Sequence, residues 1–175
     1  MKTYSFLLLI FQFLLIQSIF TQGESFYMHI IHQYLGGEKE VKVQNGRIDI
    51  LNDEYAIEVD FAKKWKEAIG QSIWYALNTN KKAGIVLIRK GDYDTYHFQL
   101  YTALEYAGLS DKIKVWLYPD DFPNCKSLEE DFQGKLWLNT SRNTRHNSKC
   151  ASFANTKRGR FCTASEGRAC GSCKG

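Results

Sequence analysis

The stretch GRIDILNDEYAIEVDFAKKW, residues 46–65, sets charged residues inside two runs of aliphatic and aromatic ones. RIDIL and YAIEVDFA alternate as strands do, and the intervening NDE (52–54) is a turn signal, so the segment reads as a hairpin. Residues two apart on a strand share a face, which brings Glu58 and Asp60 together, and Asp49 on the facing strand can look across at them. Two explanations fit. The acids are outward-facing residues of a half-exposed hairpin paired with nearby lysines, or they form a cation site. Carboxylate oxygens suit Mg²⁺ or Mn²⁺. Such an ion polarises a phosphodiester and lowers the pKa of its bound water, while a lysine offsets developing charge.

Outward from this hairpin the elements are regular. ESFYMHIIHQYLGG (24–37) reads as a helix stopped by Gly36-Gly37, and KEVKV before Asn45-Gly46 as a strand entering a tight turn. KKWKEAIGQSIWYALNT (63–79) is an amphipathic helix with Trp65, Ile69, Ile73 and Leu77 on one stripe. AGIVLIRK is a continuous apolar run of the kind found in a central buried strand, YHFQLYTALEYAGL a further helix and KIKVWLYP a further strand. This order predicts an α/β (α+β) domain with a mixed sheet and flanking helices. The 175 residues, 44% hydrophobic and 24% charged, suffice for one packed domain and an appendage. The organisation expected is a signal peptide over 1–23, a body over 24–120, a linker over 121–136 and a small module over 137–175. The first segment has one lysine, an apolar run from Phe6 to Ile16, then small and polar residues, the layout of an export signal. Export implies a secreted or periplasmic protein with no stable membrane insertion after cleavage, an uncleaved anchor being the alternative.

The order RIDIL…AIEVDFAKKWKEAIGQ resembles the core of the PD-(D/E)XK nuclease superfamily, in particular its Holliday-junction-resolvase-like branch. The resemblance covers roughly residues 24–118. It implies a restriction-endonuclease-like fold in which Asp49 and Glu58 bind Mg²⁺ and Asp60 is a candidate third ligand. Asp60 stands where that family places its lysine, so the catalytic amine passes to Lys63, with Lys64 as the substitute. Gln71 matches the family's helical Gln, and Glu24 is the candidate for its first-helix Glu.

The tail differs in kind. From Gly134 to Gly175 there are nine Lys or Arg and one acid, Glu166, against a mildly acidic remainder, an asymmetry that suggests a polyanionic partner. His146 and Cys150 form an H-x3-C pair and Cys170 and Cys173 a C-x2-C pair, a spacing that suits tetrahedral Zn²⁺, with Cys162 as a substitute ligand. Disulfide bonding of the four tail cysteines is the alternative for an exported chain. The tail resembles the zinc-binding module of DNA-alkylation-repair regulators, with His146 in place of the first cysteine. Either staple would present Arg142, Arg145, Lys157, Arg158 and Arg160 to phosphates. The expectation is therefore an exported metal-dependent nuclease acting on nucleic acid, DNA in preference to RNA, as a monomer or homodimer. The alternatives are a non-catalytic nucleic-acid-binding protein on a degenerate nuclease fold and a disulfide-stapled interaction protein.

Overall fold

The structure is a computed structural model that describes residues 23–89, 95–125, 134–150, 152–154 and 158–175. The export signal expected over 1–23 falls almost wholly outside the described residues, as does Lys157. No helix among the described residues is long and apolar enough to cross a membrane.

The elements in chain order are α1 (Glu24–Leu35), β1 (Glu38–Val43), β2 (Gly46–Leu51), β3 (Tyr55–Phe61), a 3-10 turn (Ala62–Lys64), α2 (Trp65–Thr79), β4 (Lys82–Ile88), α3 (Tyr96–Tyr106) and β5 (Ile113–Tyr118). They are followed by four short strands, β6 (Leu136–Asn139), β7 (Thr144–Asn147), β8 (Gly159–Cys162) and β9 (Arg168–Ala169). The first five strands form one sheet in the order β1-β2-β3-β4-β5. Its β1-β2-β3 part is antiparallel and its β3-β4-β5 part parallel, so the mixed sheet with flanking helices is as the sequence predicts. The parallel pairs are joined by helices, since a parallel crossover needs a long connection.

Alternation along β4 divides the core. Val86 and Ile88 pack on α1 through Phe26, Ile30 and Ile31, while Ile85 and Leu87 pack on α2 and α3 through Ala68, Leu100 and Leu104. Both faces are covered, which is why β4 reads as an unbroken apolar run. α2 turns Ala68, Ser72 and Tyr75 inward, whereas Leu77, expected on its apolar stripe, is 71% exposed.

The second sheet has the order β8-β6-β7-β9. Its Trp137, together with Phe153 and Ala154, is buried in the same apolar cluster as Phe26, Ile30 and Ile57, so the tail packs onto the α1 face of the first sheet. The His29 ring on α1 meets Trp137 and Phe161 edge-on at 5.2 and 5.3 Å. Gly159 on β8 lies directly against the Trp137 indole, where any Cβ would collide with the ring. The absence of a side chain at that position is what lets the indole lie flat against the strand.

Candidate metal centre and buried acidic cluster

His146, Cys150, Cys170 and Cys173 form a group whose ligand atoms all lie within 4.8 Å of one another. His146 sits on β7, paired across the ladder with Trp137, and its side chain is buried. Its Nδ1 lies 3.3 Å from Cys150 Sγ. Asn147 shapes the turn that follows: its Oδ1 accepts from Lys149 N–H at 3.0 Å, and Cys150 N–H donates to the Asn147 carbonyl at 3.0 Å. The same Asn147 donates through Nδ2 to the Cys173 carbonyl at 2.6 Å, tying the second pair of ligands to the first. Cys170 N–H donates to the Arg145 carbonyl at 2.9 Å, which fixes the C-x2-C turn beside β7.

The electrostatics suit metal ligation. Burial holds the His146 imidazole below its ordinary pKa, which favours the neutral form that coordinates metals. Backbone N–H groups of Cys173 and Ser172 aimed at its sulfur draw the Cys170 pKa down, favouring thiolate. Burial pushes the Cys150 thiol up, and its neighbours Cys173 and Cys170 add to the rise, a crowding of thiols that a cation would relieve. One imidazole and three sulfurs with no further ligand is the closed donor set of a structural site. Cys162, the substitute ligand, lies outside this group near Arg145, Arg160 and Glu166, and Cys125 is buried in the apolar core. All five cysteines are free thiols.

The hairpin acids converge at the place where β2 leaves β3. Ladder pairing holds Ile50 to Ile57 and Leu51 to Ala56, and beyond it the Asp49 carboxylate takes over, accepting Val59 N–H at 2.8 Å. Asp60 accepts Phe61 N–H at 2.7 Å and the Lys64 ammonium at 2.7 Å, and Lys64 also reaches Glu24 at 3.0 Å. Glu58 is 94% buried between these residues, with 6% of its surface exposed, and its Oε2 has no hydrogen-bond partner. Burial raises all three carboxyls. Glu58 is carried to about 9, helped by the charges of Asp49 and Asp60. Asp49 goes to about 7 against the opposing Val59 hydrogen bond. Asp60 also goes to about 7, its burial reinforced by the hydrogen bond that its protonated form donates to Glu24 and opposed by Lys64.

Several sequence expectations change here. The amine in the cluster belongs to Lys64; Lys63, expected to supply it, is exposed, because a 3-10 turn moves each successive side chain by a third of a revolution. Gln71 is exposed and hydrogen-bonds the Tyr75 hydroxyl, which faces Glu58. Asp49, Glu58 and Asp60 do not form a close-set ligand group; among the described residues the His146 cluster is the one group of three or more that does. Mg²⁺ or Mn²⁺ on these acids is accordingly not supported.

The basic residues separate into two kinds. Arg145 donates to the Glu166 and Gly167 carbonyls, the former at 2.7 Å, and Arg160 is ion-paired with Glu166. Arg142 and Arg158 are exposed, as are Lys135, Lys149, Arg168 and Lys174, which the sequence did not single out.

No protein-family model and no solved structure matches the chain. Over 59 residues the chain is 36% identical to a KilA-N domain-containing protein of Acanthamoeba polyphaga mimivirus, a match to 34% of this chain and 17% of that protein. Over 60 residues it is 40% identical to a second KilA-N domain-containing protein of the same virus, covering 34% of this chain and 24% of the relative. The chain thus spans about a quarter or less of these curated relatives. The match overturns the expected nuclease: both relatives carry the name of a KilA-N domain and neither that of a nuclease.

Proposed function

We propose that this chain is a non-catalytic nucleic-acid-binding protein on a degenerate nuclease-like core, in which a zinc ion on His146, Cys150, Cys170 and Cys173 staples the C-terminal sheet and its cations hold DNA phosphates. The observation that carries the reading is a four-ligand imidazole and thiol group set inside a segment with nine Lys or Arg and one acid. The relatives support it, since the KilA-N domain for which they are named is a DNA-binding domain.

Arg145 and Arg160 spend their guanidinium groups on the chain itself, so they brace the β8–β9 connection. Arg142, Lys149, Arg168 and Lys174 make the outward contacts. Such contacts are to phosphate, which fixes affinity and register without reading bases. Zinc supplies no chemistry to the nucleic acid here; it replaces the apolar core that four-residue strands cannot build.

Fluorescence anisotropy of the zinc-loaded chain with a labelled duplex, across a salt series, tests this. Binding should weaken steeply with salt, and the log–log slope should flatten by about one per phosphate contact removed in Arg142→Ala or Arg168→Ala. No binding at low salt, or binding indifferent to both substitutions, refutes the assignment.

A further inference from the structure

Among the described residues, four of the seven exposed large apolar side chains lie on one helix, α3: Tyr96, Phe98, Tyr101 and Tyr106. The inward side of α3 is spoken for by Leu100 and Leu104, which pack with Ala68 and Leu87. On the outward side Phe98, Thr102 and Tyr106 recur at intervals of four, a continuous ridge along the helix, with Tyr101 on its flank. Tyr106 is 95% exposed, an unusual position for a large ring unless something covers it.

Apart from the Tyr101 and Tyr106 hydroxyls, which need partners across the contact, the ridge can be dehydrated at little polar cost. Thr102 Oγ1 donates to the Phe98 carbonyl at 2.9 Å, so its hydroxyl is already satisfied and its methyl remains for contact. Gln99 Oε1 accepts from Trp65 Nε1 at 3.2 Å. Charge decides the kind of partner. The eleven residues of α3 contain one carboxylate, Glu105, and no lysine or arginine, so the ridge itself offers nothing to a phosphate backbone. A charge-poor aromatic ridge is complementary to its own copy. Equivalent ridges of residues four apart interdigitate when two helices cross at about −50°. Just past the end of α3 an open groove of about 380 Å³, lined by the apolar Ile73, Leu77 and Leu109 and by Lys81, Lys82 and Lys112, has room for a tyrosine ring and polar partners for its hydroxyl.

We infer that α3 is the contact face of a homodimer, in which the Phe98–Thr102–Tyr106 ridges of two copies pack together and each Tyr106 seats in the other copy's groove. The exposed parts of Phe98, Tyr101 and Tyr106 amount to roughly 400 Å², about half of the about 800 Å² that each partner contributes to a standard interface, and the groove supplies further contact. The face lies across the first sheet from the basic C-terminal sheet, so the inference is independent of the nucleic-acid reading.

Sedimentation of the zinc-loaded full chain, from about 1 to about 100 µM to bracket a micromolar Kd, tests it. The wild type should sediment as a dimer at the upper end, and Phe98→Glu/Tyr106→Glu as a monomer with an unchanged circular dichroism spectrum. Tyr106→Ala, at a position that supports no core, guards against misfolding of the double variant and should weaken the dimer at least tenfold. A wild type that stays monomeric throughout overturns the inference, as does a dimer that survives both variants. Loss of single-strand DNA binding in the double variant, with a monomeric wild type, would assign the face to nucleic acid instead and equally overturn it.

Discussion

Glu58 should make the protein less stable as the medium becomes more alkaline, and Glu58→Gln should remove the part of that dependence that lies above about pH 7. An ordinary Glu ionises near 4.5, whereas burial and the neighbouring Asp49 and Asp60 charges carry Glu58 to about 9. A carboxyl whose folded pKa lies above its unfolded one binds more protons folded than unfolded. Its stabilising effect is therefore complete below the unfolded value and lost as pH rises through the folded one. The window here runs from about pH 4 to about pH 9, with Asp49 and Asp60 contributing to the middle of it through folded values of about 7. At about 1.4 kcal/mol per pKa unit, the rise from 4.5 to about 9 corresponds to on the order of 6 kcal/mol for full ionisation of a site that stays dry. Water that follows the charge inward reduces this, so a loss on the order of 2–3 kcal/mol is expected between about pH 5 and pH 9. Urea unfolding of zinc-saturated protein across that range measures it. In Glu58→Gln the amide keeps the shape and cannot ionise, so the slope from Glu58 vanishes and the variant exceeds the wild type in stability above about pH 8. The difference between the two slopes is the readout, because deprotonation of the zinc ligands itself strengthens metal binding as pH rises; a variant with the wild-type slope refutes the account of this cluster.

Other outcomes follow from the same contacts. Chelation of zinc, or Cys173→Ser, should lower the melting temperature and expose Trp137, read as a red shift in its fluorescence, because both remove the staple beneath that ring. Trp137→Ala should cost on the order of 3–5 kcal/mol in denaturant unfolding, as expected for a buried indole whose cavity cannot collapse. Gly159→Ala should cost at least about 1 kcal/mol by forcing the Trp137 ring off β8, while Gly171→Ala, where the surroundings are open, should be close to neutral. Arg160→Ala should reduce thermal stability more than it reduces the salt slope of DNA binding, the reverse of Arg142→Ala, since Arg160 is engaged with Glu166.

The body of the fold was legible because its elements are long and periodic. The helix ended by Gly36, the Asn45-Gly46 hairpin and the unbroken run of β4 each carry a local signal that tertiary packing then obeys. Leu77 misled because α2 buries a different arc, centred on Ala68, Ser72 and Tyr75; the Tyr75 ring lies against Gly46, a close approach that no periodicity announces. The choice between Lys63 and Lys64 turned on a 3-10 turn, in which one residue of phase selects solvent or site. The candidate metal group was readable from its spacing, but the short strands around it were not. β6 to β9 hold few aliphatics, and their order is imposed by the Trp137 contact and the ligand turns. Charge counting found the basic tail yet could not see that Glu166 and its neighbouring carbonyls occupy Arg145 and Arg160. The likeness to a nuclease rested on residue types in order, and order does not fix whether three carboxyls draw close enough to share an ion.

α1 touches both ends of the molecule. Glu24 at its start meets Lys64 beside the acidic cluster, while Phe26 and His29 lie against Phe153 of the β7–β8 connection and Trp137 of the C-terminal sheet. The tail is consequently not an appendage that could be trimmed or exchanged at residue 134. Removing it would bare one whole side of α1 and leave the helix held only by its contacts with the first sheet. Amide protons of α1 and of β6–β7 should therefore exchange together, at the rate of a single cooperative unit, even though more than a hundred residues separate them in the chain.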